Sequence, residues 1–311
     1  MRDASLLISV SGPTGSGKSD LALHVCRQLG GEVINCDSLQ VYRYFNIGTA
    51  KLPPEQRGGV PHHLIDCVPP DAIFTAGDFA RLARPIAHDI AARGKLPVVV
   101  GGTGFYLRAM LDGLSPGPER DAALRSRLLA SETRRRGSLH RLLRRLDPPS
   151  AARIHANDVP KITRALEIRL KSANPASEQP PRDALTGFRI LKIGLLPPRD
   201  ELNQRLDRRC EAMFKQGLVE ETAAILTRGY DRALKPFESL GYKQALAVLD
   251  GRLTRAEAVA DTQQQTRRYA KRQMTWLRSE PGLCTLAGFG DDPAVLPAVL
   301  AMVQSSMLQS S

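Results

Sequence analysis

The sequence predicts an α/β fold, a parallel sheet flanked by helices, with a basic helical insertion domain. Short apolar runs typical of buried strands alternate with helical patterns, a glycine-rich loop follows the first run, and leucines at helical spacing alternate with arginines in mid-chain. Strands that alternate with helices favour a parallel sheet covered on both faces. A chain of 311 residues with 42% hydrophobic content can bury such a core.

The predicted sheet begins near the start of the chain. Leu6 to Val10 is a short apolar run, and the apolar residues between Leu21 and Leu29 recur at helical spacing, which predicts a strand, a loop and a helix. Further strands are predicted at Glu32 to Cys36, Pro97 to Val100 and Phe188 to Leu195.

The middle of the chain has a different composition. From Glu119 to Leu146, leucines at helical spacing are interleaved with nine arginines, which predicts basic helices. We therefore assign residues 1–115 and 186–311 to an α/β core with C-terminal helices and residues 116–185 to a helical insertion. Within it, Ser172 to Arg182 is rich in proline and polar residues and predicts a loop.

The C-terminal half is predicted to be mainly helical. Helical patterns run from Asp200 to Gly217, from Leu218 to Thr227 and from Arg255 to Arg278. After Pro281 the chain becomes rich in glycine, proline and serine, and we expect the tail from Gln304 to Ser311 to be frayed.

The charge balance favours an anionic partner. Forty-four Lys and Arg against 32 Asp and Glu give a formal net charge of +12, and such a field concentrates polyanions at the protein surface. Nucleic acid or polyphosphate is the expected partner, although a merely soluble basic surface has the same composition.

Cysteine usage and hydrophobicity indicate a cytoplasmic protein. The five cysteines are scattered, odd in number and not spaced as metal ligands, so we expect free thiols in a reducing cytosol. The early apolar run is too short for a signal peptide, and no later run approaches the length of a membrane span. We expect no membrane association.

The glycine-rich loop carries the strongest motif. It fits G-x-x-x-x-G-K-[ST], follows a strand and opens a helix, which is the context of a P-loop that binds phosphate through backbone amides. Lys18 would neutralise phosphate oxygens, Ser19 would coordinate Mg²⁺, and Thr14 could donate further hydrogen bonds. A glycine-rich turn that binds nothing is the alternative. The diphosphate-binding or nucleotide-binding residues are Gly12, Pro13, Thr14, Gly15, Ser16, Gly17, Lys18 and Ser19.

Two other predicted strands end in residues suited to chemistry. Asp37 follows the second strand, and the carboxyl ends of parallel strands are where ligands bind. Gln40 has the donor and acceptor needed to read an adenine edge. Thr103 follows the third strand after two glycines. An aspartate that caps a turn, and glycines that only serve turn geometry, are the alternative explanations for these positions.

Other charged stretches are less specific. The run from Pro61 to Asp66 contains adjacent histidines, which point to opposite faces of an extended chain, so we predict a structural loop rather than a metal site. In the helix that ends at Arg278, Arg267 with Lys271 and Arg268 with Arg272 are like charges four residues apart. A phosphate backbone would relieve their repulsion, and a solvated basic face is the alternative.

These motifs resemble those of one family, the bacterial tRNA dimethylallyltransferases, also called isopentenylpyrophosphate transferases, over most of the chain. The stretches that carry the resemblance are GPTGSGKS at 12–19, DSLQVYR at 37–43, IGTAK at 47–51, PHHLID at 61–66, GGTGFYL at 101–107, DPPSAARIHAND at 147–158, RALEI at 164–168, LGYKQAL at 240–246 and RRYAKRQMTWLR at 267–278.

The resemblance implies transfer of the dimethylallyl group of dimethylallyl diphosphate to the exocyclic N6 of the adenosine 3′ of the anticodon in tRNA. Residues 12–19 would hold diphosphate, with Mg²⁺, rather than hydrolyse a nucleotide such as ATP. Asp37 would be the general base. Thr103, Arg209 and Lys18 would stabilise the departing diphosphate.

The resemblance also implies contacts with the anticodon stem-loop of tRNA by a monomeric enzyme. These contacts are Asp37, Ser38, Leu39, Gln40, Thr103, Arg125, Lys161, Ile162, Thr163, Arg164 and Ala165. The basic helix adds Arg267, Arg268, Lys271 and Arg272. Two stretches depart from the family pattern: a lysine, Lys161, follows Asn-Asp-Val-Pro where arginine is usual, and residues 172–182 lack the usual Thr-Gly continuation.

Three other functions compete with this interpretation. An adenylate isopentenyltransferase, which prenylates free nucleotides, shares the phosphate loop and the aspartate but needs no basic insertion. A small-molecule P-loop kinase needs a mobile lid that the sequence does not reveal. A noncatalytic RNA-binding protein gives no reason for Lys18, Asp37 and Thr103 to occur together.

Overall fold

The structure, a computed structural model, describes residues 4–115, 117–172, 176 and 183–308. Within these residues the Cα packing separates two compact units, Met1–Leu111 with Leu185–Ser311, and Asp112–Ala184. The predicted loop from Ser172 to Arg182 lies outside the described residues, except for its first residue and Ala176. None of the described helices has the length and apolar character that crossing a bilayer requires.

The larger unit contains a sheet in which all paired strands are parallel, as predicted. Its order is β3-β2-β4-β1-β5-β6. The strands are β1 (Ser5–Ser11), β2 (Gly31–Asn35), β3 (His62–His63), β4 (Leu96–Gly101), β5 (Phe188–Leu196) and β6 (Leu283–Ala287).

Helices cover this sheet and form the smaller unit. They are α1 (Lys18–Leu29), α2 (Ala76–Ala92), α3 (Gly104–Leu111), α4 (Ala122–Arg134), α5 (Ser138–Leu146), α6 (Pro148–Arg153), α7 (Val159–Lys171), α8 (Arg199–Lys215), α9 (Leu218–Thr227), α10 (Tyr242–Leu249), α11 (Arg255–Arg278) and α12 (Val295–Leu308). Short 3-10 turns span Pro54–Gln56 and Lys235–Glu238. Of these helices, α4 to α7 belong to the smaller unit.

Alternation along the central strands gives the sheet two apolar faces. Leu7 of β1 and Val99 of β4 belong to one buried cluster, with Phe79 of α2, whereas Ile8 of β1 and Val98 of β4 belong to the other. Side chains of a strand point to opposite faces at every second residue. The central strands are therefore buried on both sides, and their carboxyl ends meet at one edge.

Two regions differ from the prediction. The His62–His63 pair forms a short edge strand rather than a loop, because it pairs with β2 and because His63 Nε2 lies 2.8 Å from the carboxylate of Glu32. Arg93 also bonds this carboxylate, and its hydrogen bonds lower the pKa of Glu32 to about 2. Among the described residues, no group of three or more metal-ligating side chains occurs.

The C-terminal region was also predicted wrongly. The chain after Pro281 forms β6, which pairs with β5, and α12, which continues to Leu308. Helix α12 packs against the sheet because Val295, Val299 and Val303 recur at a spacing of four and are buried in the same apolar cluster as Ile8 and Val98. Residues 309–311 lie outside the described part of the chain.

The helical unit is organised around one buried carboxylate. Glu167 of α7 accepts two hydrogen bonds from Arg125 of α4, at 3.0 and 2.8 Å, one from Arg164 at 2.7 Å, and one from the backbone amide of Asp121 at 2.7 Å. Burial alone would raise the pKa of Glu167, but these hydrogen bonds outweigh it and lower the pKa to about 2.

Replacing this carboxylate should destabilise the helical unit. Glu167→Gln removes the charge that pairs Arg125 and Arg164, and we expect a loss of about 3 kcal/mol in the free energy of unfolding at neutral pH. Because the folded pKa is depressed, the contribution is present above about pH 4.5 and is lost as pH falls toward about 2. Urea unfolding at several pH values measures it.

The exposed Glu119 of the same unit provides the matched control, Glu119→Gln. The free energy of unfolding of this control should remain within about 0.5 kcal/mol of that of the unsubstituted chain. Equal stabilities of the two variants at neutral pH would contradict the role of Glu167.

Candidate active site

The phosphate loop connects β1 to α1 at the carboxyl edge of the sheet. Gly15 and Gly17 have φ angles of 79° and 76°, in the left-handed region that glycine adopts without strain. The amide of Ser16 donates to the carbonyl of Pro13 at 3.2 Å, which closes the turn. The loop therefore ends at a helix N-terminus whose amides and partial positive charge suit an anion.

Lys18, the first residue of α1, is the cation of this loop. Its Nζ donates to the carbonyl of Pro13 at 3.3 Å. Burial lowers the pKa of Lys18 to about 8, Asp37 opposes the shift, and the guanidinium of Arg209 adds to it. A desolvated ammonium beside another cation gains more from a bound anion than an exposed lysine does.

Asp37 follows β2 and caps its own turn. Its Oδ1 accepts hydrogen bonds from the amides of Leu39, at 2.8 Å, and Gln40, at 3.3 Å. Among the described residues, no hydrogen bond reaches its Oδ2. One carboxylate oxygen thus orients the group, and the other is available to accept a proton.

Thr103 follows β4 and contacts the Asp37 turn. Its Oγ1 accepts a hydrogen bond from the amide of Ser38 at 3.3 Å. This contact requires the preceding glycine, because a Cβ on Gly101 would collide with the carbonyl of Cys36. The structure therefore brings Thr103 and Asp37 together through the backbone of Ser38.

One cavity of about 720 Å³ in the larger unit joins the phosphate loop and Asp37, whereas Thr103 is not among its lining residues. Its wall combines phosphate-loop residues with the turn after β2 and with helices α8 and α11. Predicted site residues that line it are Thr14, Gly15, Gly17, Lys18, Ser19, Asp37, Ser38, Leu39, Gln40, Arg209 and Arg272. Burial lowers the pKa of Arg209, yet the group stays a cation at any physiological pH.

Ser19 is the single protein group predicted to hold Mg²⁺. It is exposed at the start of α1 and lines the cavity. Since no cluster of three metal-ligating side chains occurs among the described residues, the remaining ligands would be phosphate oxygens and water. This donor set fits Mg²⁺, which keeps several waters and takes few protein ligands at phosphate sites.

Several site residues were missed by sequence reasoning. Gln273 bonds both the phosphate loop and the β4 end, and Tyr269 of the same helix lines the cavity. The amide of Gly290 donates to the carbonyl of Ser16 at 2.8 Å, and Asp291 pairs with Arg205 at 2.8 Å. Tyr269 and Gln273 lie in the RRYAKRQMTWLR stretch, but no local pattern identifies any of these residues as part of the site, because their partners are distant in sequence.

Of the four cations predicted on α11, three remain exposed. Arg268, Lys271 and Arg272 are exposed, and the Arg272 guanidinium lies 5.6 Å from the centroid of the Tyr269 ring. Arg267 is instead half-buried and paired with Asp207. This ion pair relieves the like-charge repulsion between Arg267 and Lys271 within the protein itself.

The predicted tRNA contacts of the helical unit divide into two groups. Lys161 is exposed and pairs with Asp158 at 2.6 Å, while Arg125 and Arg164 are engaged by Glu167. The side chains of Ile162, Thr163 and Ala165 are buried, and Ile162 and Ala165 belong to the apolar core of this unit. The contacts of these three residues with RNA stay a prediction.

Comparisons with known proteins agree with one another. A sequence model described as IPP transferase matches residues 40–280. The tRNA dimethylallyltransferases of Solibacter usitatus and Koribacter versatilis are 59% and 53% identical. The alignments cover 93% of this chain and 95% of the first relative, and 97% of this chain and 99% of the second.

Solved structures give the same result. The tRNA isopentenylpyrophosphate transferase from Bacillus halodurans is 35% identical, with a TM-score of 0.74 and 98% of each chain covered. A eukaryotic dimethylallyltransferase acting on tRNA is 27% identical, with a TM-score of 0.84, covering 99% of this chain and 81% of the other.

The lowered pKa of Lys18 predicts how diphosphate binding depends on pH. The affinity for inorganic diphosphate should fall as pH rises through about 8, because the free ammonium loses its proton there. Lys18→Met should weaken binding about 10- to 100-fold near pH 7 and remove this part of the pH dependence. Titration calorimetry at several pH values measures both effects.

Diphosphate itself also titrates, but this effect is the same for the unsubstituted chain and for Lys18→Met, so it cancels when their affinities are compared. Lys95→Met, which changes an exposed lysine outside the cavity, is the control. Parallel pH curves for the unsubstituted chain and Lys18→Met would show that Lys18 is not the titrating group.

Proposed function

The chain belongs to the IPP transferase family, and from this membership we propose that it transfers the dimethylallyl group of dimethylallyl diphosphate to N6 of the adenosine 3′ of the anticodon in tRNA. The observation that carries the proposal is the shared cavity, in which the half-buried Lys18 and Arg209 face the same space as Asp37, whose Oδ2 accepts no hydrogen bond from the described residues. Anion binding and proton acceptance are thereby combined.

The charges suit an allylic transfer. The bond between the allylic carbon and the diphosphate oxygen breaks with its electrons on the diphosphate, and the adenine nitrogen forms a new bond to that carbon. Lys18, Arg209 and the amides of the phosphate loop stabilise the charge that develops on the leaving group. Mg²⁺ bound near Ser19 would neutralise part of the same charge.

Asp37 completes the reaction as general base. An exocyclic adenine amine must lose a proton as it becomes a secondary amine, and the Oδ2 of Asp37 accepts it. The products are prenylated tRNA, diphosphate and the proton held on Asp37, which returns to solvent. Thr103 supports this step by holding the Ser38 amide next to the base.

A base that reacts in the cavity must first leave its stack in the anticodon loop. Gln40 donates through Nε2 to the carbonyl of Thr49 at 3.1 Å, which leaves its side-chain oxygen to accept from an adenine amine. The exposed cations of α11 and the basic helical unit supply phosphate contacts that offset the cost of extrusion. We place this activity in the cytoplasm, in a monomer.

Adenylate isopentenyltransferase activity is the second candidate from the sequence. Nothing in the cavity alone rejects a free nucleotide. The relatives that match nearly the whole chain carry names of tRNA-modifying enzymes, however, and the basic helical unit has no use in a reaction with AMP. We therefore favour tRNA as the acceptor.

Product analysis tests the function and the general base together. Purified protein, Mg²⁺ and dimethylallyl diphosphate are incubated with unmodified tRNA or with AMP, and the nucleosides are weighed by mass spectrometry. We expect prenylated adenosine from tRNA alone. Asp37→Asn should lower turnover about 10²- to 10⁴-fold, because asparagine keeps the Oδ1 that caps the turn but is not a base.

The tRNA affinity of Asp37→Asn should remain within a few-fold of the unsubstituted chain. Asp71→Asn, an exposed carboxylate outside the cavity, controls for the loss of one charge. Equal losses of turnover and affinity would remove the general-base role, and a product from AMP would move the protein to the free-nucleotide class.

The exposed face of α11 makes a separate prediction for RNA binding. The double variant Arg268→Ala and Lys271→Ala should weaken tRNA binding, because each lost phosphate contact reduces the salt slope of the binding constant by about 0.7 to 0.9. Filter binding at several salt concentrations measures the slope. Turnover at saturating tRNA should change little.

Arg232→Ala with Arg252→Ala is the matched control, since both of these arginines pair with Asp250 and neither belongs to α11. An unchanged slope in the α11 variant would show that this face is merely solvated.

A further inference from the structure

We propose that Gln273 of α11 is a positioning residue for the transfer reaction, holding the phosphate loop at a set distance from the wall that carries Asp37. This inference rests on the proposed function, because it concerns the geometry between the leaving group and the base. Gln273 also lines the cavity, but both ends of its amide are bonded to the backbone, and in our assignment it acts through the two segments that it joins.

Both ends of the Gln273 amide are used. Its Oε1 accepts a hydrogen bond from the amide of Thr14 at 2.9 Å, and its Nε2 donates to the carbonyl of Gly102 at 3.0 Å. A glutamine amide offers one acceptor and one donor group a fixed distance apart. The side chain therefore bridges the loop after β1 and the loop after β4.

This bridge continues to the proposed base. Gly102 precedes Thr103, and the hydroxyl of Thr103 accepts a hydrogen bond from the amide of Ser38, which follows Asp37. A continuous series of hydrogen bonds and peptide bonds thus runs from the phosphate loop to the aspartate. A shift of Gln273 would change the position of both ends together.

The position of Gln273 is itself well determined. The residue is 8% exposed, and its neighbours Ala270, Met274 and Leu277 on the same helix are buried in apolar clusters or in the core. A Cβ on Gly102 would collide with its Nε2. The backbone of Gly102 can therefore approach the amide only because it lacks a side chain.

The bridge also selects which amides can bind the diphosphate. Because the amide of Thr14 donates to Gln273, it is not available to phosphate oxygens, and the amides that follow it in the loop are left for that purpose. The leaving group is thereby placed toward the N-terminus of α1. Transfer chemistry is sensitive to such placement, since an error of about 1 Å can cost about 10²-fold in rate.

Substitutions of matched size separate positioning from simple packing. Gln273→Leu keeps the volume but breaks both hydrogen bonds, and we expect kcat to fall about 10²-fold. Binding of inorganic diphosphate, measured by calorimetry, should weaken about 10-fold, because the loop loses its preorganised shape. The affinity for tRNA should remain within a few-fold, since Gln273 is buried beneath the face of α11.

Gln273→Glu gives a second readout that packing alone would not produce. The ionised carboxylate accepts from Thr14 but cannot donate to Gly102, whereas the protonated acid can do both. Relative to the unsubstituted chain at the same pH, kcat of this variant should rise as pH falls from about 8 to about 5.5. If Gln273→Leu does not fold, this variant carries the test.

The matched controls are Gln264→Leu and Gln264→Glu, which make the same changes at an exposed position of α11. They should leave kcat and diphosphate binding unchanged. The positioning role is wrong if the folded Gln273 variants keep the kcat and the diphosphate affinity of the unsubstituted chain. It is also wrong if kcat of Gln273→Glu depends on pH in the same way as kcat of the unsubstituted chain. An unsubstituted chain that does not prenylate tRNA would instead refute the proposed function.

Discussion

The placement of β4 between β1 and β2 is the constraint on which the site depends. The phosphate loop follows β1 and Asp37 follows β2, and these strands do not touch each other; both pair with β4 in parallel. The close approach of Gly101 to the carbonyl of Cys36 lets the end of β4 lie directly against the Asp37 turn. Shared strand direction brings the three loops to one edge, and the glycines set how closely they meet.

Much of this arrangement could be predicted from the sequence, because the signals are local. The G-x-x-x-x-G-K-[ST] motif needs only a strand before it and a helix after it, and the apolar runs of β1 and β4 are read from neighbouring residues. Such reasoning identified Lys18, Asp37 and Thr103 as candidates. Their proposed roles rest on the family resemblance and on chemistry. The structure adds that Lys18 and Asp37 line one cavity and that Thr103 bonds Ser38 in its wall.

The residues that were missed depend on contacts between distant segments. Gln273 is one of several glutamines in a polar helix, and only the folded chain reveals that it meets Thr14 and Gly102. The burial of Ile162 and the ion pair of Arg267 with Asp207 likewise depend on tertiary contacts. Strand β6 and helix α12 were missed because their composition suggested a tail, whereas pairing with β5 and burial of three valines override that preference.

The contact between Gly290 and Ser16 has a consequence for the order of folding during synthesis. The carbonyl of Ser16 is satisfied by the amide of Gly290, which belongs to a segment that is synthesised much later than the phosphate loop. Pairings of such large sequence separation form late, since the loop between them must be closed first. A nascent chain therefore carries its phosphate loop without this contact until the segment around Gly290 has been translated.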